Sequence, residues 1–91
     1  MTTEFEWDMK KATGNFRKHR VSFEEAQTTF YDPRGALVRD DAHSTVEERF
    51  VFVGRSDRGR LLVTVFTERG QRRRLISSRR ANRREARDYE A

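Results

Sequence analysis

Nine arginines between Arg69 and Arg87 form the densest set of functional side chains in this 91-residue sequence, and no lysine is among them. A guanidinium is planar, permanently charged and carries a donor fork that fits phosphate oxygens and stacks on bases. Its exclusive use here suits nucleic acid better than a general solubilising surface does. Cleavage of an RNA backbone would ask for little more. The 2′-hydroxyl is itself the nucleophile, so a protein must align it, accept its proton, stabilise charge on phosphorus and protonate the leaving oxygen. Clustered arginine supplies the stabilising charge. A carboxylate can take the proton, and Glu47 and Glu48 stand at the mouth of a predicted strand beside the arginine-bearing hairpin. Each of them is also, taken singly, an ordinary residue of a solvated strand edge.

Three more side chains have useful chemistry and a bland role beside it. His19, with an unperturbed pKa near 6.5, can act as acid or base or can pack at the end of a helix. Trp7 can stack on a base or fill a thin core. Tyr89 places a phenol near the arginines or frays with the terminal helix. Other chemistries are poorly served. There is no cysteine, which removes thiolate nucleophiles and disulfides, and the two histidines, at 19 and 43, lack metal-ligand spacing. Asp40 and Asp41 fall in a polar connection, so no metal site is expected, and no GxGxxG or Walker-type loop points to a nucleotide cofactor.

The elements that must carry these residues are readable from periodicity and turn chemistry. Glu4 to Trp7 is compatible with an opening edge strand. Asp8 caps a helix whose Met9, Ala12, Phe16 and His19 form one amphipathic stripe. Ser22 and Glu25 have capping-box spacing, and Phe23, Ala26 and Phe30 supply the buried face of a second helix, which Asp32-Pro33-Arg34-Gly35 ends. Four strands follow: Ala36 to Asp40, Glu47 to Arg55 with apolar residues on both faces, Arg60 to Glu68, and Gln71 to Ser78 after a tight turn at Arg69-Gly70. In the last strand, alternation puts Arg72, Arg74, Ile76 and Ser78 on one face and Arg73, Leu75 and Ser77 on the other. Asn82 and Glu85 can cap a final short helix. This order predicts an α+β fold: a small antiparallel sheet, two N-terminal helices on one face and a short C-terminal helix.

Composition sets the frame. A chain this short buries only ~60–65% of its unfolded surface, so one domain spanning residues 1–91 with a thin core is expected. Leu, Ile, Val and Phe make up 19 of the 91 residues, just above the ~20% below which high charge signals disorder. Their clustering in Phe50-Val51-Phe52-Val53 and Leu61 to Phe66 decides for folding. The net charge of +5 is uneven: residues 1–68 hold 11 bases and 12 acids, a net of −1, and residues 69–91 hold nine bases and three acids, a net of +6. No secretory signal or membrane-spanning apolar run is present, so a soluble cytoplasmic protein is expected.

Several stretches taken together resemble the BrnT family of bacterial toxins. They are Phe5-Glu6-Trp7-Asp8, then Asn15, Lys18-His19 and Val21-Ser22-Phe23-Glu24-Glu25-Ala26, Glu48-Arg49-Phe50, Gly59-Arg60-Leu61-Leu62-Val63, Thr67-Glu68-Arg69, and Leu75-Ile76-Ser77 with Arg79-Arg80-Ala81. They span nearly the whole chain in order. Arg20 stands where the family commonly has Gly after the His, and Leu75 where Ile is usual. The resemblance implies a RelE-like fold and a metal-independent endoribonuclease that cleaves RNA and inhibits translation. It also implies neutralisation by a DNA-binding antitoxin like BrnA, in an oligomeric complex, with no membrane involved. Carried onto this sequence, it assigns Glu48, Arg60, Arg79 and Arg80 to catalysis, and Trp7, Lys18 and Arg74 to RNA contact. The residues alone leave two other classes open: a non-catalytic basic nucleic-acid-binding module, and an interaction domain whose basic face meets an acidic partner.

Overall fold

The computed structural model describes residues 4–39 and 47–91; Asp40, Asp41 and His43 lie outside the described residues. In chain order the elements are β1 (Glu4–Glu6), α1 (Met9–His19), α2 (Phe23–Thr28), a 3-10 turn (Thr29–Tyr31), β2 (Ala36–Arg39), β3 (Phe50–Arg55), β4 (Leu61–Arg69), β5 (Arg72–Arg80) and α3 (Arg83–Glu90). The fold is α+β, with one five-stranded sheet in the order β1-β5-β4-β3-β2.

The sheet is mixed, not antiparallel as the sequence suggests. β2 to β5 form an antiparallel meander, but β1 runs parallel to β5, with Glu4 opposite Arg72 and Glu6 opposite Arg74. A parallel pair needs a long connection between its strands. Here that connection is all of the chain from α1 to β4, and a three-residue strand carries no local sign of which partner it takes. As a result the arginine-rich β5 is an interior strand, flanked by β4 along its length and by β1 at Arg72 to Arg74.

Local chemistry explains the helix ends. Asp8 Oδ1 accepts the N–H groups of Lys10 at 2.7 Å and Lys11 at 3.2 Å, which opens α1. α1 closes at Arg20, whose φ of 59° is in the left-handed region, where a glycine would be unstrained. Ser22 Oγ accepts the Glu25 N–H at 3.0 Å, yet Glu25 does not complete the box, because its carboxylate turns inward. At α3 both halves are made: Asn82 Oδ1 accepts the Glu85 N–H and Glu85 Oε1 accepts the Asn82 N–H, at 2.8 and 2.9 Å.

Of the stripe read from the sequence in α1, Ala12 packs against the core and His19 is half-buried, while Met9 is 71% and Phe16 47% exposed. Asn15 is buried instead. Its amide donates to the carbonyls of Val21 and Ser78, each at 2.9 Å, and accepts the Ser78 N–H at 3.0 Å, tying α1 and the loop after it to β5. Asn15→Ala strips partners from three backbone groups and is expected to cost about 2 kcal/mol. A urea titration will show it as a lowered midpoint at unchanged slope.

β5 also departs from simple alternation. Val65 pairs with Ser77 and Phe66 with Leu75, so Ile76 is an extra residue in a bulge. The bulge resets the parity. Leu75 and Ser78 therefore both point into the core, opposite Phe66 and Thr64, and the Thr64 and Ser78 hydroxyls are 2.9 Å apart. Phe23, Ala26, Phe66 and Leu75 form the buried centre, with Phe5, Trp7, Phe30, Phe50 and Phe52 packed around it. Phe30 stacks on Phe52 at 4.6 Å, and the Arg73 guanidinium covers Phe30 at 4.9 Å. Gly54 lets the 3-10 turn approach β3, since a Cβ there would fall 2.8 Å from the Thr29 carbonyl oxygen. Among the described residues, no helix is long and apolar enough to cross a membrane.

Candidate functional site

Strand register divides the expected site residues between two ends of the sheet. Arg80 pairs with Leu62 at the start of β4, and the Ala81 N–H donates to the Leu61 carbonyl at 2.9 Å. This gathers Arg60, Arg79 and Arg80 at one end, next to Arg20 at the end of α1. Glu48 is at the other end: its carbonyl accepts the Thr67 hydroxyl at 2.7 Å, and its carboxylate is 3.8 Å from Arg39 Nε. Leu62 and Thr67 are five residues apart on one strand, so about 17 Å separates the two groups. Glu47 and Glu48 do sit beside the hairpin, where Glu47 approaches Arg69 at 3.6 Å, but that hairpin is remote from Arg79 and Arg80.

At the arginine end, Arg60 is held by a buried acid. Arg60 Nε donates to Glu25 Oε2 at 2.9 Å, a second guanidinium nitrogen bonds Glu25 Oε1, and the same nitrogen donates to the Arg20 carbonyl at 3.1 Å. Ser56 Oγ donates to Glu25 at 2.7 Å. Glu25 is only 5% exposed. The Arg60 bonds, assisted by Ser56 and Arg58, hold its carboxyl below the usual range against the opposing effect of burial. This cluster fastens α2, the β3–β4 turn and the end of α1 together.

Arg79 and Arg80 differ in availability. Arg79 makes a two-pronged pair with Glu85, both bonds at 2.8 Å, which keeps the carboxyl of Glu85 low and the guanidinium of Arg79 high. Arg80 is exposed; its carbonyl accepts from Arg79 Nη1 at 3.2 Å, and its guanidinium has no partner among the described residues. Behind it come Arg83 and Arg84 in the first turn of α3, where backbone N–H groups add their own attraction for anions.

The three residues expected to touch RNA are scattered. Trp7 is half-buried and lies edge-on to Phe23 at 5.9 Å, packed against the core. Arg74 is paired with Glu6 at 2.8 Å, at the end opposite Arg80. Lys18 is exposed in the last turn of α1 and has no partner among the described residues.

Some organised groups were not singled out from the sequence. Asp32, the first residue of the expected turn, accepts the Arg34 N–H at 2.9 Å, the Arg55 N–H at 2.7 Å and the Tyr89 hydroxyl at 2.6 Å. Burial pushes its carboxyl up, but these bonds outweigh burial and hold it below the ordinary range; the same contact with Asp32 raises the Tyr89 phenol. Tyr89 is therefore anchored, not frayed. A cleft of about 640 Å³ opens here, lined by Tyr31, Arg34 and Arg55 among others. The Asp-Pro-x-Gly turn signature was legible, but Asp32 and Tyr89 lie 57 residues apart, so nothing local joins them.

Comparison with known proteins supplies an independent reading. Residues 7–85 match the family model described as the ribonuclease toxin, BrnT, of type II toxin-antitoxin systems. No curated protein sequence matches the chain. Among solved structures, the fold is similar to the 1.1 Å crystal structure of the Brucella abortus ribonuclease toxin BrnT. The TM-score is 0.70 at 20% sequence identity, covering 90% of this chain and 100% of that one.

Proposed function

This chain belongs to the BrnT family, the ribonuclease toxins of type II toxin-antitoxin systems, and we propose that it cuts RNA, without a metal ion, at the arginine end of its sheet. A toxin of this type has an antitoxin as partner and RNA as target. The observation that carries the placement is Arg80, an exposed guanidinium with no partner among the described residues, set beside Arg79 and the first turn of α3. In this reading Arg80 binds the scissile phosphate and stabilises the charge that builds on it. Arg79, held by Glu85 on the other face of the sheet, ties the end of β5 to α3 and fixes the backbone that presents Arg80. Arg60 acts through position, because Glu25 occupies its donors while it holds the neighbouring turn. Lys18 extends the cationic surface along α1. Glu48, Arg74 and Trp7 stay outside the site.

A metal-free mechanism draws its positive charge from the guanidinium groups of the arginine end, which supply it at the phosphate directly. Cleavage of a long RNA by the purified protein is expected to continue at an undiminished rate in excess EDTA. Loss of cleavage in the chelator, restored by adding Mg²⁺ or Mn²⁺, would overturn the metal-free mechanism, and RNA binding with no products after long incubation would overturn catalysis itself. The same reading takes residues 1–91 as one RelE-like domain with α1 and α2 on one sheet face. It acts in the cytoplasm to inhibit translation and is neutralised in an oligomeric complex by a DNA-binding antitoxin of the BrnA kind.

A further inference from the structure

The cleft between the 3-10 turn and the end of α3 plays no part in the reading above, and its groups are specific. Its volume of about 640 Å³ falls in the range of small-ligand sites. The floor is tied together: Tyr89 O–H, Arg55 N–H and Arg34 N–H all donate to Asp32. The Arg34 and Arg55 guanidinium carbons lie 5.6 and 5.5 Å from the centre of the Tyr89 ring. Two groups remain open above this floor. Tyr31 is 73% exposed, a large ring that adds nothing to the core. The Arg34 guanidinium is placed against Tyr89 while none of its side-chain donors has an acceptor among the described residues.

Charge selects the ligand. The lining sets Arg34 and Arg55 against Asp32, Asp57 and Glu90, a net of −1, which disfavours a phosphate. A flat neutral base is not repelled and can stack on Tyr31. An arginine fork matches the O6 and N7 acceptors of guanine, and carboxylates accept from ring and amino N–H groups, which guanine carries on its other edge. No other RNA base offers that acceptor pair together with those donors. We infer that the cleft is a recognition subsite for an unpaired guanine of the RNA, with Tyr31 as the stacking platform and Arg34 as the reader. The inference rests on the RNA-cutting reading and adds specificity to it. α3 joins the two places: its eight residues span about 12 Å from the Arg80 end to Tyr89, so the guanine sits a few nucleotides from the scissile bond.

The test is binding of 2′-O-methyl uridine pentamers carrying guanine, adenine or cytosine at the centre, which lack the nucleophilic hydroxyl and cannot be cut. The unmodified protein is expected to bind the guanine pentamer at least about 5-fold more tightly than the others. Tyr31→Ala is expected to weaken that binding by about 5-fold or more, Tyr31→Phe to keep it, and Arg34→Ala to erase the preference for guanine. Urea midpoints confirm that each variant folds. Equal affinity for all pentamers, or affinity unchanged in both alanine variants, overturns the inference. Arg80→Ala in the same assay separates the two ideas. If the unmodified protein neither binds a pentamer nor cuts long RNA, the RNA reading itself fails. If it cuts RNA and loses pentamer binding in Arg80→Ala but not in Tyr31→Ala, only the subsite fails.

Discussion

Arg80→Ala is expected to slow RNA cleavage by about 10²-fold or more while leaving the urea midpoint of the protein where it was. The size follows from the role: removing one donor that stabilises charge developing in a transition state costs a factor of about 10²–10³. The absence of a stability effect follows from position, because the Arg80 side chain is exposed and bonds no described residue, and the backbone contacts of Arg80 survive the change. Arg79→Ala is a different case. It leaves Glu85 without its two-pronged partner at the start of α3, so some loss of stability should accompany any loss of rate. Single-turnover cleavage and denaturant titration of both variants give the comparison. A full rate in Arg80→Ala would remove the arginine end from the chemistry, and a fall in the midpoint equal to that of Arg79→Ala would make its effect structural.

The second large effect lies under the site. Arg60→Met leaves Glu25 buried without its main partner and is expected to cost about 3 kcal/mol, in line with breaking a buried ion pair from one side. For a domain of this size that lowers the melting temperature by on the order of 15 °C. The double variant Glu25→Leu/Arg60→Met removes both charges and should recover much of the loss. If the double variant is no more stable than Arg60→Met alone, the burial of Glu25 is not what makes the single change costly. The pair also gives a pH signature. The carboxyl of Glu25 is held below its unfolded value by Arg60 first, then by Ser56 and Arg58. Its contribution is therefore complete above the unfolded glutamate value, near 4.3, and fades as pH falls through the lower folded value. Stability of the unmodified protein should drop more steeply below about pH 4 than that of the double variant.

How far the sequence could be read depended on how local each feature is. Asp8 and Asn82 were legible as caps because a cap is completed within three residues. The meander was legible because β3 and β4 are dense apolar runs parted by the turn at Ser56 to Gly59. The parallel docking of β1 was not, since nothing in Glu4–Glu6 specifies β5. The inward face of α1 was legible only at Ala12: Asn15 is buried there because it bonds backbone groups in another element, whereas Met9 and Phe16 stay outside. The bulge at Ile76 defeated alternation in β5 for a similar reason, as it exists only in the pairing with β4. For the proposed site, the charge segregation marked the segment that carries Arg79 and Arg80. It could not show that Glu25, Glu85 and Glu6, drawn from three other elements, occupy Arg60, Arg79 and Arg74 and leave Arg80 open.

The union of β1 with β5 sets the order in which this protein comes into being. Glu4 meets Arg72, 68 positions further along the chain, and β5 also brings Leu75 to the core and Ser78 to Asn15. Until that strand has emerged from the ribosome the sheet lacks its second strand and α1 lacks its anchor, and contacts so distant in sequence close late in folding. The same strand ends in Arg80. A nascent chain therefore gains the contacts that complete its sheet and core together with Arg80, the arginine proposed above to bind the scissile phosphate.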